Sequence, residues 1–512
     1  MFKYRWVFII VPFLMFLEGC RENFDYRDAS GELLFSKDTV YLDTVFNSLS
    51  SSTYSFKVYN TSNDDIRIPS VYLKAGADSG FRLNVNGNSG QAFSDVEISA
   101  NDSIFVFVES TFDLDTLSSP SFLATDAVVF GNIDTQQEVA LVTLVRDAIF
   151  LFPQRENGIT ESLPIGVDEN GEPVSIEGFV LQDDQLTFTN NRPYVIYGYA
   201  AVPAGKVLEI QEGSRVYFHE ASGILVQQGA SLHVLGSKSN DTEVMEKEVI
   251  FEGDRLEPEF SDIPGQWGTI WLAAGSTNNR LEHLTVKNAV IGLFAEGDPQ
   301  LTPPKTTIVN SRFLNSANIN ILARNTSFYA RNTIAGSAGQ VSVFLAEGGN
   351  YELLHCTIAN FWNQGPRSLP ALLISNYTET SFGERSTSPL TKAQFTNNII
   401  SGNAGIEMLF DRDEQEAFNI LFRNSILQFD TNNSDLLQNP LYDFTDGNIY
   451  EEILLNSDPE FVRDAPDPFQ LSSSSPAINI GTADFISEAR EDILGNLRDQ
   501  TPDAGAYEFQ GN

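Results

Sequence analysis

The sequence predicts an all-β protein, and two patterns carry this prediction. Between residues 32 and 147, short runs that alternate apolar and polar residues are separated by turn residues, as in half-buried strands. Between residues 280 and 430, a phrase recurs in which a small or polar residue stands two places before a large apolar one. Its copies are LEHLTV (281–286), VNSRF (309–313), ARNTI (330–334), LHCTI (354–358), TNNII (396–400) and FRNSI (422–426).

The recurring phrase predicts a solenoid, because repeats of roughly 20–30 residues without a helical pattern are typical of stacked structural units. The phrase is rich in β-branched and aromatic residues, with Asn and Gly at corners, so each repeat is predicted to be one coil of a parallel β-helix. Its coils should stack about 4.8 Å apart. The longest step between equivalent positions, 42 residues from Cys356 to Asn398, predicts an insertion at 375–392. The equivalent positions are Leu284, Ser311, Asn332, Cys356, Asn398 and Asn424.

Alternation along the phrase assigns side chains to the two faces of each strand. The large apolar residues are predicted to stack inside; they are Val286, Phe313, Ile334, Ile358, Ile400 and Ile426. An internal ladder of stacked amides is predicted for Asn332, Asn398 and Asn424. An outward column is predicted for His283, Arg331, His355 and Arg423. This column is either a solvated face or a groove that binds anionic sugars through its Arg side chains.

Two further features suggest ligand contacts, each with a structural alternative. Trp267 and Trp271 are four residues apart, so on a strand they face the same side and form a sugar-stacking platform or part of the core. Phe361 and Trp362, beside the insertion, raise the same question. Ca²⁺ is the one cofactor considered, bound by an acidic cluster that is otherwise an ordinary corner loop. That cluster is Asp411, Arg412, Asp413, Glu414 and Glu416.

Composition excludes some function classes. The formal net charge is −38, which argues against nucleic acid as a partner, because nucleic-acid binding needs clustered Lys and Arg. Cys20 and Cys356 are the two cysteines, so lipidation of Cys20 would leave no disulfide. Cys356 is predicted to be a small buried hydrophobe, since the adjacent His355 points to the opposite face and cannot activate it.

The N-terminus has the pattern of an export signal. Lys3 and Arg5 precede an apolar run at residues 6–17 that is too short to span a bilayer as a helix. The run ends in Leu-Glu-Gly-Cys (17–20), which resembles the lipobox of bacterial lipoproteins. This resemblance implies that residues 1–19 are a cleaved signal peptide and that Cys20 carries the lipid anchor. The alternatives are an ordinary cleaved signal or a buried strand.

The predicted domains follow in order: a linker (20–31), an immunoglobulin-like β-sandwich (32–147), a connector (148–200), the β-helix (201–430), and last coils with a C-terminal cap (431–512). The tail LSSSSPAINIG (471–481) and EDILGNLRDQTPDAGAYEF (491–509) resembles the end of many secreted bacterial β-helix proteins. A charge-assisted network that closes the last coil is predicted from Asp492, Arg498, Asp503 and Glu508.

As a whole, the chain resembles surface lipoproteins of Bacteroidota that join an Ig-like domain to a right-handed parallel β-helix. This resemblance implies an outer-membrane or cell-surface location and no assigned reaction. Three functions are compatible with the sequence: a non-catalytic glycan-binding or envelope-associated module, a polysaccharide lyase or glycosidase acting on acidic polysaccharides, and an adhesin-like matrix component. The first is favoured because no catalytic motif occurs. The enzyme hypothesis predicts carboxylates from separate coils converging near residues 375–392.

Overall fold

The computed structural model describes residues 26–29, 32–113, 121–131, 136–168, 171–299, 302–379, 383–462 and 469–511. In these residues, regular structure consists of β-strands and single-turn 3-10 helices, so the predicted all-β class is confirmed. The predicted signal peptide (1–19) and the predicted lipidation site, Cys20, lie outside the described residues. The chain divides into two compact units, Met1–Asp147 and Ala148–Asn512. The 3-10 turns are Gly76–Asp78, Asp183–Gln185, Pro258–Phe260, Leu436–Gln438, Pro440–Tyr442 and Ala483–Phe485.

The first unit is built from short strands in which buried and exposed residues alternate, as in β10, where Ile104, Val106 and Val108 point inward. The strands are β1 (Arg27–Asp28), β2 (Leu34–Phe35), β3 (Thr39–Tyr41), β4 (Val45–Phe46), β5 (Tyr54–Tyr59), β6 (Ile66–Leu73), β7 (Phe81–Val85), β8 (Asn88–Gly90), β9 (Ala92–Ile98), β10 (Ser103–Ser110), β11 (Ser121–Phe130) and β12 (Gln137–Arg146).

Two sheets of the first unit share one core. One has the order β1-β6-β11-β12-β3, with β9 on β6 and β4 on β12; the other has the order β2-β5-β10-β7-β8. The long neighbours pair antiparallel, whereas β1, β3 and β4 pair in parallel with theirs. Phe56 and Val106 from one sheet and Ile68 and Val128 from the other belong to the same buried cluster.

The second unit consists of many short strands. They are β13 (Ile149–Leu151), β14 (Arg155–Glu156), β15 (Ile159–Thr160), β16 (Ser162–Val167), β17 (Pro173–Val180), β18 (Thr187–Phe188), β19 (Tyr194–Ile196), β20 (Tyr199–Val202), β21 (Val207–Gln211), β22 (Arg215–Phe218), β23 (Gly223–Val226), β24 (Ser231–Leu235), β25 (Val249–Gly253), β26 (Ile270–Leu272), β27 (Asn279–Glu282), β28 (Leu284–Lys287), β29 (Ile291–Glu296), β30 (Thr306–Val309), β31 (Arg312–Leu314), β32 (Ile319–Arg331), β33 (Ile334–Gly336), β34 (Val341–Leu354), β35 (Thr357–Asn360), β36 (Leu372–Ser375), β37 (Tyr377–Glu379), β38 (Arg385–Thr387), β39 (Leu390–Thr396), β40 (Ile399–Gly402), β41 (Met408–Asp411), β42 (Phe418–Arg423), β43 (Ile426–Leu427), β44 (Tyr450–Glu451) and β45 (Leu454–Leu455).

Parallel pairing between distant strands organises the second unit. From β20 to β28, each strand pairs in parallel with the strand three places later: β20 with β23, β21 with β24, and β22 with β25. Later repeats follow the same rule, except that β32 and β34 are each long enough to take the place of two strands. β32, for example, pairs with both β29 and β30, and β32 pairs with β34 in the next repeat. One column of strands forms the eleven-stranded sheet from β13 to β45, and the others form an eighteen-stranded sheet.

The interior of the second unit is a set of stacked apolar columns. Along the eleven-stranded sheet, paired positions in successive strands are Val216, Phe251, Val286, Phe313, Ala335, Ile358, Ile400 and Leu427. All belong to one buried cluster. The sequence prediction is wrong for Ile334 and Ile426, which occupy the neighbouring outward column. They are buried because another segment covers them from outside.

A left-handed residue turns the chain at the same corner of successive repeats, immediately before the strands of the eleven-stranded sheet. Asn and His are among the side chains that tolerate this backbone best. The residues and their φ angles are His283 (47°), Asn310 (51°), Asn332 (47°), His355 (51°), Asn397 (57°) and Asn424 (48°). We call this set the corner column.

The C-terminal residues lie along the side of the eleven-stranded sheet. Phe469, Ile493 and Tyr507 pack on Ile334, while Leu471, Ala477 and Ala504 pack on Ile399 and Ile426. The prediction that this segment closes the last coil is therefore wrong. The final strands are covered instead by residues 429–450, because Leu441, Tyr442 and Tyr450 join the main core.

The predicted insertion contains regular structure of its own. After β36 the chain forms the antiparallel hairpin β37–β38 and returns as β39, which pairs with β34. Residues 380–382 lie outside the described part. The hairpin contacts the following repeat, since Tyr377 donates a hydrogen bond to Asp411 Oδ2 at 2.8 Å.

Candidate functional site

A cleft of about 1230 Å³ lies in the second unit. One wall is built from residues that directly follow five successive strands of the eleven-stranded sheet: Ser337 after β33, Phe361 after β35, Asn403 after β40, Gln428 after β43 and Asn456 after β45. Because these strands pair in parallel, the residues that follow them lie at the same edge of the sheet. A row of side chains, polar except for Phe361, thus lines the cleft.

The C-terminal segment forms the other wall. It contributes Asp458, Glu460, Phe461, Phe469 and Ser472. The two walls meet through aromatic rings, since Phe461 packs edge-on against Phe361 with ring centroids 6.1 Å apart. Phe361 remains 38% exposed, which leaves part of its ring available for a ligand.

Amide groups order the floor of the cleft. The Gln428 side-chain oxygen accepts from Ser401 Oγ at 2.9 Å and from the Gly402 amide at 3.1 Å, while its nitrogen donates to the Ala404 carbonyl at 2.6 Å. The floor is consequently preorganised, with its polar groups in definite orientations. Ser337, Asn363, Thr431 and Ser457 add further hydroxyl and amide groups to the lining.

Three carboxylates line the cleft, and each stabilises its own loop through one oxygen. Asp430 Oδ1 accepts from Asn432 N at 2.9 Å, and Asp458 Oδ1 accepts from Glu460 N at 2.9 Å. Glu460 Oε2 accepts from the Ser474 hydroxyl. Within the described residues, the other oxygen of each group accepts no protein hydrogen bond, so these oxygens can accept from ligand hydroxyls.

A buried ion pair supports the cleft from behind. Arg367 contacts Glu407 at 2.6 Å, with side chains 4% and 0% exposed. Arg367 also donates to Asn403 Oδ1 at 2.7 Å, and Glu407 accepts from the Ala404 amide at 2.7 Å. This pair therefore sets the position of Asn403.

The predicted outward column of His283, Arg331, His355 and Arg423 does not form a cationic groove. Strand pairing places Arg331 and Arg423 in one column and the two histidines in the adjacent corner column. His355 is 1% exposed, because the C-terminal segment covers it, so its predicted outward position is wrong. Arg423 is paired with Glu451 at 2.7 Å.

Both histidines of the corner column are neutral near pH 7. Burial, with the nearby Arg312, lowers the pKa of His283 to about 4. Burial, with the nearby Arg498, lowers the pKa of His355 well below its ordinary value. Neither side chain can therefore supply positive charge to an anionic sugar at neutral pH.

An amide ladder exists, but it is displaced by one position from the predicted one. Asn332 Nδ2 donates to Asn310 Oδ1 at 2.9 Å, and Asn310 Nδ2 contacts His283 Nε2 at 3.0 Å. Asn424 belongs to the same corner column and donates to the Ile480 carbonyl at 2.9 Å. Asn398 lies in the next column, together with Cys356. The backbone N–H of Cys356 donates to Asn398 Oδ1 at 2.5 Å.

The two tryptophans occupy opposite sides of the chain. Trp267 is fully buried, stacked on Phe218 with centroids 4.3 Å apart, whereas Trp271 lies on the outer face against Phe294 at 5.6 Å. The prediction that they face one side is wrong, because Trp267 precedes β26 and only Trp271 belongs to that strand. Trp362 lies beside the cleft residue Phe361 and approaches Gly339.

The acidic corner is held by the insertion. Asn376 accepts from Asp413 N at 2.7 Å and donates to the Asp413 carbonyl at 2.9 Å; Arg385 approaches Asp413 Oδ2 at 3.6 Å. Among the residues that the structure describes, no group of three or more His, Cys, Asp and Glu side chains is arranged to hold a metal ion. Over the same residues, no helix is long and apolar enough to cross a bilayer.

The C-terminal motif residues form a buried network. Arg498 is paired with Glu508 at 3.0 Å and donates to Asn332 Oδ1 at 3.1 Å. Asp492 accepts from Glu508 N at 2.9 Å, and Asp503 accepts from Asn479 N at 2.8 Å. Through Asn332, the network attaches the C-terminal segment to a middle repeat of the corner column.

Cys356 is an inert side chain. It is 1% exposed, and burial raises the pKa of its thiol to about 12. Its sulfur lies 3.5 Å from the Leu354 carbonyl. A thiol kept protonated in this way is a poor nucleophile.

Sequence reasoning missed most of the cleft residues. The signal was present, since SGNAG (401–405) and the polar residues after each phrase recur at one position of the repeat. Their convergence with residues 458–472 could not be read from spacing, because that contact joins segments distant in the chain.

No family model and no curated protein matches this chain. Three solved structures are weakly similar in fold, each over about a quarter of the chain. A PapD-like domain of human CEP192 has 8% identity and a TM-score of 0.15, covering 22% of this chain and 84% of that one. The periplasmic chaperone SfaE has 6% identity and a TM-score of 0.15, covering 23% and 58%. The E. coli chaperone DraB has 11% identity and a TM-score of 0.16, covering 27% and 61%.

Proposed function

We propose that this chain is a lipid-anchored surface protein of the bacterial outer membrane that binds glycans without turning them over. The observation that carries the proposal is the cleft, which combines a partly exposed ring, Phe361, with rows of amide, hydroxyl and carboxylate groups. Sugars present apolar ring faces and many hydroxyls, so an aromatic ring among ordered polar groups is complementary to them.

The proposed architecture of the second unit is a right-handed parallel β-helix. Parallel pairing of each strand with the strand three places later supports it, as does the continuous interior column from Val216 to Leu427. Each repeat buries its apolar residues only by stacking on its neighbours. In such a stack, equivalent positions of successive coils line up along the helix axis, and this alignment accounts for the row of cleft residues.

The proposed architecture of the first unit is an immunoglobulin-like β-sandwich that acts as a spacer. Two sheets with mainly antiparallel long neighbours and one shared core support it. The anchor and the surface location are proposed from the lipobox-like residues 17–20.

The glycan proposal is tested by retention of the full chain, in mild detergent, on gels containing immobilised polysaccharides. We expect Phe361→Ala and Asn363→Ala to reduce retention at least tenfold, because each removes an exposed side chain that lines the cleft. Phe152→Ala is the matched control, since Phe152 is 52% exposed and does not line the cleft. Absence of retention on every polymer would contradict the proposal; retention on whole cells alone would favour an adhesin.

The anchor is tested separately with Cys20→Ser in a bacterial host that processes lipoproteins. The unmodified chain should incorporate labelled fatty acid and sediment with membranes, whereas the variant should lose the label. Retention of the label by Cys20→Ser would exclude this residue as the lipidation site.

One observation favours an enzyme as a second candidate. Near the insertion, Tyr377 donates to Asp411, and Arg385 lies between Glu379 at 2.6 Å and Asp413 at 3.6 Å. Burial and the neighbouring Asp411 raise the pKa of Tyr377, which disfavours Tyr377 as a base. A panel of acidic polysaccharides, followed by ultraviolet absorbance of unsaturated products and by reducing ends, tests this candidate. Turnover abolished by Arg385→Ala would establish it.

A further inference from the structure

We infer that the cleft selects uncharged polysaccharide chains over polyanionic ones. This inference rests on the proposed glycan-binding function and specifies its ligand class. It differs from the sequence-based alternative of acidic polysaccharides, because it starts from the residues that the fold brings into the cleft.

The charge of the lining is the first argument. Asp430, Asp458 and Glu460 line the cleft, and its described lining residues include no Lys, Arg or His. The guanidinium of Arg367, which contacts the lining residue Asn403, is 4% exposed and already paired with Glu407. Among the described lining residues, a bound uronate or sulfate would therefore meet three carboxylates of like charge and no cation.

Hydrogen-bond polarity is the second argument. A carboxylate only accepts hydrogen bonds, whereas a sugar hydroxyl donates and accepts. Asp430, Asp458 and Glu460 each accept a hydrogen bond through one oxygen, and the described residues supply no donor to the other oxygen. Ligand hydroxyls match these acceptors. A ligand carboxylate offers no donor. It would displace the water that hydrates the lining acceptors and leave those acceptors without a hydrogen bond.

Orientation of the amides is the third argument. Asn403 Oδ1 accepts from Arg367, and Asn403 Nδ2 donates to the Trp362 carbonyl at 2.7 Å. Asn456 Oδ1 accepts from the Phe429 backbone N–H. These contacts hold the amides in place and prevent the Asn403 donor from turning fully toward an anion. The Asn403 amide nitrogen is consequently not free to compensate a ligand anion.

The test uses polymers that share a backbone and differ in charge. Polygalacturonate, alginate and hyaluronan are compared with their own carboxyl-reduced forms, together with neutral xylan and galactan. The full chain in mild detergent is passed over each immobilised polymer. We expect at least tenfold stronger retention on the uncharged member of a pair, with the difference shrinking as salt screens the carboxylates.

A charge-removing variant adds a second readout. The triple variant Asp430→Asn, Asp458→Asn, Glu460→Gln should lower the neutral-to-anionic retention ratio about tenfold. The matched control is Asp184→Asn, Glu220→Gln, Glu243→Gln, which removes the same charge from exposed positions outside the cleft lining. This control should leave the ratio unchanged. Thermal unfolding of both variants shows that each is folded.

The possible outcomes separate the two proposals. Stronger retention on the uncharged members, reduced by the cleft variant alone, supports both. Stronger retention on the anionic members overturns the selectivity inference while glycan binding stands. Equal shifts by the cleft and control variants also overturn it, because they would show a general charge effect. No retention on any polymer overturns the glycan-binding function and the inference with it.

Discussion

His355 and Asn397 are neighbours in the corner column, and their side chains contact each other directly: Asn397 Nδ2 lies 2.9 Å from His355 Nε2. On its other side, His355 Nδ1 lies 3.1 Å from the Asp503 carbonyl oxygen. The amide nitrogen can only donate and the carbonyl can only accept, so the imidazole is neutral with its proton on Nδ1. Asn397 in turn donates to the Thr482 carbonyl at 2.9 Å, which links the stack to the C-terminal segment.

The first prediction concerns acid stability. Burial and Arg498 lower the pKa of His355 below 6.5, so below that pH the unfolded chain binds a proton that the folded chain does not. Stability is thus fully present above about pH 6.5 and is lost as pH falls, by up to about 1.4 kcal/mol per pH unit. Asn tolerates the φ of 51° at this position. In urea unfolding between pH 7 and 5, His355→Asn should therefore reduce the slope of unfolding free energy against pH by up to about 1.4 kcal/mol per pH unit.

His233→Asn is the control for this prediction, because His233 is half-buried and lies outside the corner column. Its pH dependence should match that of the unmodified chain. An unchanged slope in His355→Asn would show that His355 is protonated equally in the folded and unfolded states.

The second prediction concerns the backbone of the corner column. Asn310 has φ 51° and bonds both His283 and Asn332. Asn310→Ala should cost about 2–3 kcal/mol of unfolding free energy, from left-handed strain and lost hydrogen bonds. Asn310→Gly relieves the strain and should cost about 1 kcal/mol less. Equal costs in urea unfolding would show that backbone conformation contributes nothing here.

The third prediction concerns the buried pair of Arg498 and Glu508, whose side chains are 0% and 7% exposed. Burial lowers the pKa of Arg498 and raises that of Glu508, so each charge depends on its partner. Arg498→Met should cost about 3–5 kcal/mol because it leaves a carboxylate buried alone. Combining it with Glu508→Gln should cost about 1–3 kcal/mol less than the sum of the single changes. Simple additivity in a urea double-mutant cycle would contradict this coupling.

The fourth prediction concerns the floor of the cleft. A Cβ at Gly402 would lie 2.2 Å from Glu407 Oε1 and 2.5 Å from the Asn360 carbonyl, so Gly402→Ala should cost about 1–3 kcal/mol and displace the adjacent Asn403. At Gly405, which also lines the cleft, the nearest atom is 3.6 Å away, and Gly405→Ala should be tolerated. Thermal unfolding and polysaccharide retention, measured on both variants, check this difference.

Much of the local structure was predictable from particular residues. Alternation in SIFVFVES predicts the inward Ile104, Val106 and Val108 of β10. The interior positions of Val286, Phe313, Ile358 and Ile400 also follow from the recurring phrase. The differences at Asn332, Asn424, Ile334 and Ile426 share one cause: in two repeats the recurring phrase lies one residue out of phase with the strand pairing. A one-residue slip moves a side chain to the opposite face of a strand.

The cleft was harder to predict, since its residues are chemically ordinary. Gln428 and Ser401 acquire a role only when parallel strands place them at one edge of a sheet. Tryptophans attract attention in a sequence, yet Trp267 is core packing, and Phe361 is the exposed ring of the cleft. Asp458 and Glu460 reach the cleft through the C-terminal segment, about 120 residues after Ser337.

The sequence by itself determined the all-β class and most strand positions, because alternation, β-branching and Asn at corners act through local backbone geometry. Only the tertiary structure decided which outward faces meet water. The C-terminal segment lies over Ile334, Ile399 and His355, and so converts an outward column into a second buried layer. The physical reason is that strand periodicity assigns a side chain to a face, whereas solvent exposure of that face depends on contacts between segments distant in the chain.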